Sequence, residues 1–480
     1  MKGKFLLLTV APLAFATCQA HSSSEKTLRP GQDIAEIVAT AEPGTTFNLE
    51  PGEYRLQRVR PKDGQSFVGK GRVVFNGSML LENWQRAGAR WVADGPKDRL
   101  RPHGPCDKTG SNPVLCSYRE DLFLDGVLYR RVGSLGELAS GKWYDDGAKI
   151  HVLDNPTGKK AELSVVPFAF YGEAQDVVLQ NIIVEKYASA AQQGAIEFRK
   201  AVGWKLINVS ARWNHGVGAR IGSRTHIAGG AFSHNGQLGI GGNGTDSVIE
   251  NVEIAHNNYA GFSAGWEAGG TKFVRADGLV VRNACVHSND GPGLWTDIDN
   301  INIEYVDNMV FNNAGDGIKH EISYSARIHG NTVAQNGKGK HNWLWGSQIL
   351  VQNSGNVEVF DNIVEVAADF GNGISVINQD RGEGAHGPWI SNNVRVYRNE
   401  IIHLGANGKN GMIADHDKEW FYHDSGNLFH SNTYVVPDPA WKYVVVRNRS
   451  KTFEDLPNFG MELDAKVISV RRKQLDLQCK

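Results

Sequence analysis

Two short segments of this chain end alike. Gly293-Leu294-Trp295-Thr296-Asp297 and Gly317-Ile318-Lys319-His320-Glu321 each run from a glycine through an apolar residue to an acid four positions on. Side chains alternate along a strand, so Leu294 and Ile318 would face one way and Trp295, Asp297, Lys319 and Glu321 the other. On neighbouring parallel strands the two carboxyls would sit about 5 Å apart. Like charges at that spacing repel, so one pKa rises and suits a general acid, while the other group stays an ionised nucleophile or base. Two other assignments compete: a pair of solvated surface acids, or a calcium site built from Asp297, Asp299 and Glu321.

Other residues gather around this pair in the sequence pattern. Counting from the same recurring glycine places Arg220 and Lys319 on the outward column with Trp295, and Asn243 on the column of the two acids. Trp266, Glu267 and Lys272 lie just upstream in Gly265-Trp266-Glu267-Ala268-Gly269-Gly270-Thr271-Lys272. An outward tryptophan is a platform for the apolar face of a sugar ring, which favours Trp295 and makes Trp266 a second candidate. Arg220 and Lys319 could hold a uronate carboxylate, Glu267, Lys272 and Asn243 could line a subsite, and ordinary surface pairing competes for the charged ones. His320 falls at an inward position and reads as a packed side chain.

What positions these residues is a repeat. Gly218, Gly239, Gly261, Gly293 and Gly317 each open a short strand, with Asn214, Asn235, Asn257, Asn289 and Asn313 four positions before them. The glycines suit turn positions that need positive φ. Asn208, Asn251, Asn283, Asn308, Asn331, Asn362 and Asn399 form a second series. Asparagines stacked from coil to coil can hydrogen-bond to one another, so they are read as structural. The spacings match solenoid coils of about 20–29 residues, except for two longer gaps. Those gaps hold 265–272 and 338–345, and insertions of this kind usually mark the binding face. They are expected to flank the coils of Asp297 and Glu321.

The reading is therefore all-β: a right-handed parallel β-helix solenoid with an N-terminal capping helix and a small β-rich insert. Residues 29–79 give the cap and first coils, 80–170 the insert, 171–410 the coils with the acid pair, and 411–480 the C-terminal coils and a looser cap. Fifty-five Gly against 16 Pro fits many tight turns.

Lys plus Arg number 51 and Asp plus Glu 52, so no overall field draws the chain to nucleic acid or an anionic membrane. Residues 1–20 pair Lys2 and Lys4 with a short apolar run and small residues, as a signal peptide does, which implies a secreted or periplasmic protein. Cys18 offers an outer-membrane lipoprotein as the less favoured alternative, because Thr17 stands where a lipobox has Gly or Ala. No stretch reads as transmembrane. Cys106 and Cys116 are expected to form a disulfide in an oxidising compartment, and Cys285 to be a small buried strand residue. A monomer is expected.

Two resemblances add to this. Residues 29–54, with Pro43-Gly44-Thr45-Thr46 and Pro51-Gly52-Glu53-Tyr54, resemble the N-terminal cap and first coil of pectin-lyase-like β-helices. An Asp in Trp295-Thr296-Asp297 and a Glu on the next coil is similar to the site window of glycoside hydrolase family 120, the β-xylosidases. That resemblance implies Asp297 as nucleophile, Glu321 as acid/base, an oligo- or polysaccharide substrate and no required cofactor. On it Glu321 should be the more desolvated acid and Asp297 the better hydrogen-bonded one. A polysaccharide lyase or epimerase acting on uronates is the alternative, with Lys319, Lys272 or Arg220 as base and calcium as a possible cofactor. A noncatalytic glycan-binding or adhesin solenoid is the third reading.

Overall fold

The computed structural model describes residues 24–102, 106, 113–339 and 342–479. The signal peptide expected at 1–20, with Cys18, lies outside the described residues. Among those described, no helix is long and apolar enough to cross a membrane.

The chain winds as a parallel β-helix. Each coil contributes one strand to a 12-stranded sheet and others to a 24-stranded sheet that wraps the remaining sides. The 12-stranded sheet carries the candidate site. Its successive strands include Val217–Ile221, Leu238–Thr245, Gly269–Asp277, Leu294–Asp297, Ile318–Glu321, Ser347–Gln352 and Asn372–Asn378. Inward positions are apolar and stack in register, as in Leu294 with Ile318 and Ile318 with Ile349, forming one long core. At the N-terminal end the helix Ile34–Thr40, N-capped by the Asp33 side chain on Glu36 N (3.1 Å), buries Ile34 and Val38 over the open core. That covering removes an edge that could otherwise pair with another chain.

Asn214, Asn235, Asn257, Asn289 and Asn313 form one continuous column. Each amide donates to the next at 2.8–3.0 Å, and the column runs on through Asn336 to Gln348. The column also explains the glycines. A Cβ on Gly218, Gly239, Gly293 or Gly317 would lie 2.6–3.0 Å from the amide nitrogen of the next ladder residue. None of these four has positive φ, so close approach rather than turn geometry requires them. Gly261 does not belong to this set. The chain detours through 258–268 after Asn257, and Gly270, where a Cβ would lie 3.1 Å from the Asn289 amide nitrogen, takes the strand position. The second Asn series also divides. Asn308, Asn331, Asn362 and Asn399 form a buried ladder that continues to Asn432. Asn208, Asn251 and Asn283 instead occupy left-handed turn positions, with φ of 50, 55 and 51°.

Residues 78–164 leave the coil as an eight-stranded sheet with its own core around Leu122, Trp143, Ile150 and Leu163. It docks beside the candidate site, where Asp121 Oδ2 accepts from Tyr259 OH (2.7 Å) and meets His215 Nδ1 (3.0 Å). Cys106 and Cys116 are disulfide-bonded and pack with Ala260, Phe262 and Ala268. Phe262 thus lies in this outer cluster, outside the coil interior. Parallel pairing continues past residue 410 to the strand Lys466–Ser469. Cys285 is bonded to Cys479, so it is a cross-link rather than a free buried thiol.

Candidate active site

Leu294–Asp297 and Ile318–Glu321 are adjacent parallel strands, with Trp295 opposite Lys319 and Asp297 opposite Glu321. Both acids point outward and both are buried, at 6% exposure each. Lys272 pairs with Asp297 (2.7 Å) and Lys319 with Glu321 (2.6 Å). Arg381, from a loop two coils farther on, reaches the other oxygen of Glu321 (2.9 Å). Nothing in the local sequence pattern singles out Arg381, because the repeat places it on a different coil.

Glu321 is as buried as Asp297, but the hydrogen bonding of the two acids runs opposite to the expectation. Burial raises the Asp297 pKa, the charge of Glu321 raises it further, and Lys272 and Lys319 only partly offset this. Asp297 Oδ1 is also buried without a hydrogen-bond partner among the described residues. Burial raises Glu321 too, but Lys319 and Arg381 together outweigh it and hold the group at about 2. Of the two acids, Asp297 is therefore the one that takes up a proton first as the pH falls. Lys319 itself is pulled down by burial, yet Glu321 and Asp316 more than reverse this and keep the ammonium charged.

Trp295 is outward but not exposed. It is 1% exposed, with the ammonium groups of Lys272 and Lys319 over its ring at 4.0 and 4.6 Å from the centroid. It is a floor beneath two cations, not an open stacking platform. Trp266 is half-buried against the Cys106–Cys116 cluster, and its carbonyl accepts from Lys272 (2.5 Å). Glu267 is buried and binds Arg220 and Gln192, so Arg220 is held by an internal acid. Both residues anchor the 258–268 insertion. Asn243 is exposed, two coils before Asp297.

The two insertions do converge. Ala264 and Gly265 from one, and Gly339, Asn342 and Trp345 from the other, line a cleft of about 420 Å³ with Lys319 at its floor. Trp343 and Trp345 pack with Leu344 against Leu350 and Ile377 and so fix the second wall.

The calcium arrangement is not formed by the proposed three acids. Asp299 turns away and accepts from Ala385 N (3.0 Å) and Trp389 Nε1 (3.1 Å), while Asp297 and Glu321 each face a lysine. Among the described residues, the His/Cys/Asp/Glu group close enough to hold an ion is Cys285, His287 and Cys479, whose cysteines are bonded to each other.

Residues 194–355 match the family model described as a right handed beta helix region. The fold is a right-handed parallel β-helix. No curated protein matches the chain by sequence. Among solved structures, XylC in complex with xylose is similar over 91% of this chain and 82% of its own, at 16% identity and a TM-score of 0.68. The A-module of the mannuronan C-5 epimerase AlgE6 from Azotobacter vinelandii covers 92% of this chain and 94% of its own, at 12% identity and a TM-score of 0.49. Pectate lyase Pel9A covers 89% and 79%, at 14% identity and a TM-score of 0.33.

Proposed function

We propose that this β-helix is a carbohydrate-active enzyme, and specifically a retaining glycoside hydrolase that uses Asp297 and Glu321 on an oligo- or polysaccharide. The observation that carries the proposal is the in-register, buried acid pair beside a cleft walled by two insertions. A structural neighbour solved with xylose supports a sugar as ligand.

Adjacent parallel strands lie about 4.8 Å apart, so in-register carboxyls would sit at about the 5–5.5 Å of retaining enzymes, whereas inverting enzymes need about 6.5–9.5 Å to admit a water. In such a reaction one carboxyl donates its proton to the glycosidic oxygen as the other attacks the anomeric carbon. The first then takes a proton from water, which displaces the enzyme carboxylate and releases the sugar. The raised pKa of Asp297 and the lowered one of Glu321 favour Asp297 as the proton donor and Glu321 as the ionised partner. This reverses the roles that the family resemblance implied.

The test is a screen of the purified protein against neutral and uronic glycans, reading reducing ends and unsaturated products together. Reducing ends without a new C=C absorbance support hydrolysis. Azide rescue then assigns the roles: the nucleophile's alanine variant yields a glycosyl azide of inverted configuration, the acid/base variant one of retained configuration.

A lyase or epimerase reading keeps support from Lys272, Lys319 and Arg381 clustered at the site, since such charges suit a uronate. Against it, Lys319 stays protonated and is a poor base, and Arg220 is neutralised by Glu267. Unsaturated products would favour it over hydrolysis.

A further inference from the structure

Asp299 follows Asp297 by two residues, yet it does not share the acid column. Ile298 and Asp299 both adopt left-handed conformations, φ 62 and 60°, and a β-branched residue there is strained. That pair of turns aims the Asp299 side chain at the loop 379–390, which leaves the strand Asn372–Asn378 two coils beyond Glu321 and folds back. Asn353 fixes the roots of this loop: its amide donates to Gln379 O (2.5 Å) and Trp389 O (2.9 Å), and its carbonyl accepts from Gln379 N (3.1 Å).

The tip is fixed by Asp299, whose Oδ1 accepts from Ala385 N and Trp389 Nε1. Tyr324 adds a second contact by accepting from His386 N (3.1 Å) and donating to Gly387 O (2.9 Å). Its single hydroxyl proton cannot also serve Asp299, at 3.4 Å, so the two N–H groups are the donors that hold the Asp299 oxygen. The approach is so close that a Cβ on Gly384 would lie 1.8 Å from Asp299 Oδ1. Arg381 lies between roots and tip, bonded to Glu321.

We propose that Asp299 is the anchor of the 379–390 loop, acting as a positioning residue that holds Arg381 against Glu321 rather than as a metal ligand. The proposal rests on the reading of Glu321 as a working acid only for its consequence in catalysis; the anchoring stands apart from it. Around Glu321 the other charged groups are Lys319 and Asp297, with Lys272 beyond Asp297. Loss of Arg381 would leave Lys319 as its one close cation.

The experiment compares Asp299→Ala, Asp299→Asn, Gly384→Ala and Arg381→Ala in the full chain by hydrogen exchange and by carboxyl-carbon NMR titration of Glu321. Asp299→Ala and Gly384→Ala should each lower amide protection across 382–389 at least tenfold and raise the Glu321 midpoint as Arg381→Ala does. Asp299→Asn keeps the acceptor oxygen and should preserve both. A protected loop with an unmoved Glu321 in Asp299→Ala would overturn the proposal, as would Asp299→Asn behaving like the alanine. If a glycoside is turned over, the acid limb of the kcat/KM profile should move together in Asp299→Ala and Arg381→Ala, and the double variant should match the Arg381 single. An absence of turnover on every glycan would count against the proposed function, while the exchange and titration results still decide the anchor.

Discussion

Asp297 and Glu321 face each other on neighbouring coils, each paired with its own lysine, and both lysines lie over the ring of Trp295. Two anions and two cations in a buried patch depend on one another, so a loss at any corner redistributes charge over the rest. Asp297→Asn and Glu321→Gln are each expected to lower kcat at least 10³-fold with little change in folding, and the first-formed product should retain its anomeric configuration. Proton NMR of the fresh product reads the configuration. An inverted anomer, or full turnover in either variant, would sink the acid-pair mechanism.

Removing Lys319 has a distinct signature. Lys319→Met keeps the stem over Trp295 but deletes the nearest charge to Glu321, so the Glu321 pKa should climb from about 2 towards the ordinary carboxylate range. The acid limb of the activity profile should shift to higher pH while Arg381 limits the rise. If Lys319 were instead a catalytic base, the variant would be inactive at every pH.

The repeat was legible because two constraints coincide in it: an asparagine that must bond to the next coil, and a glycine that must clear that coil's amide. Gly261 imitates the spacing by chance inside an insertion, and only the register reveals Gly270 as the true strand position. The acid pair could be found from alternation alone. Its electrostatics could not, because Arg381 arrives from a loop 60 residues away and Lys272 belongs to a strand that the pattern had placed in an insertion. The burial of Trp295 is not legible in the pattern for a related reason: an outward position is exposed only if nothing long covers it, and here two lysines do.

The Asn column should be costly to interrupt at the site. Asn313 accepts from the Asn289 amide and backbone N–H (2.8 and 3.1 Å) and donates to Asn336 Oδ1 (2.9 Å) and Val286 O (3.1 Å), all buried. Asn313→Ala leaves several of these partners unsatisfied, which at about 1–3 kcal/mol for a buried orphan predicts a loss of about 2–4 kcal/mol. Chemical denaturation measures it. A loss under 1 kcal/mol would mean the ladder relaxes around the gap.

The C-terminal tail offers a separable test. After Lys466–Ser469 it runs back along the coils, with Arg472 near Glu400 (3.4 Å) and Leu475 N bonded to Glu365 (2.7 Å), to the disulfide between Cys479 and Cys285. The bond closes a separation of 194 residues that contains both acids. Chain-entropy arguments give such a cross-link about 2–5 kcal/mol, chiefly by restricting the unfolded chain. Cys479→Ser should therefore lower Tm while leaving the geometry of the acid pair, and turnover at moderate temperature, intact. An unchanged Tm would show that the tail contributes nothing to holding the coils.

Acid sensitivity follows from groups buried in unusual protonation states. His320 Nε2 donates to Tyr324 O (2.7 Å) and Nδ1 meets the Thr296 hydroxyl (2.8 Å), while burial holds the ring neutral down to about 4. Burial, helped by the charge of Lys409, takes His403 to about 3. An unfolded histidine binds its proton near pH 6.5, so as pH falls from 6.5 to about 4 the unfolded state gains two protons that the folded state refuses, and stability drops. Glu462 opposes this. Its burial raises the carboxyl to about 7, despite hydrogen bonds from Tyr434 and Asn432, so between about 4.5 and 7 the folded state holds a proton that the unfolded state has released. Among these three, two histidines against one carboxyl contribute a loss of about 1.4 kcal/mol per pH unit on acidification between about 6.5 and 4.5; His234 and His256, lowered by burial, add to it, while Glu197 and Asp297, raised by burial, oppose it. Glu462→Gln should add about 1.4 kcal/mol per pH unit to the loss in that window, and His403→Gln should remove about as much. Denaturant unfolding at half-unit pH steps gives the slopes directly, and slopes unchanged from the parent in both variants would rule out this account of the buried groups.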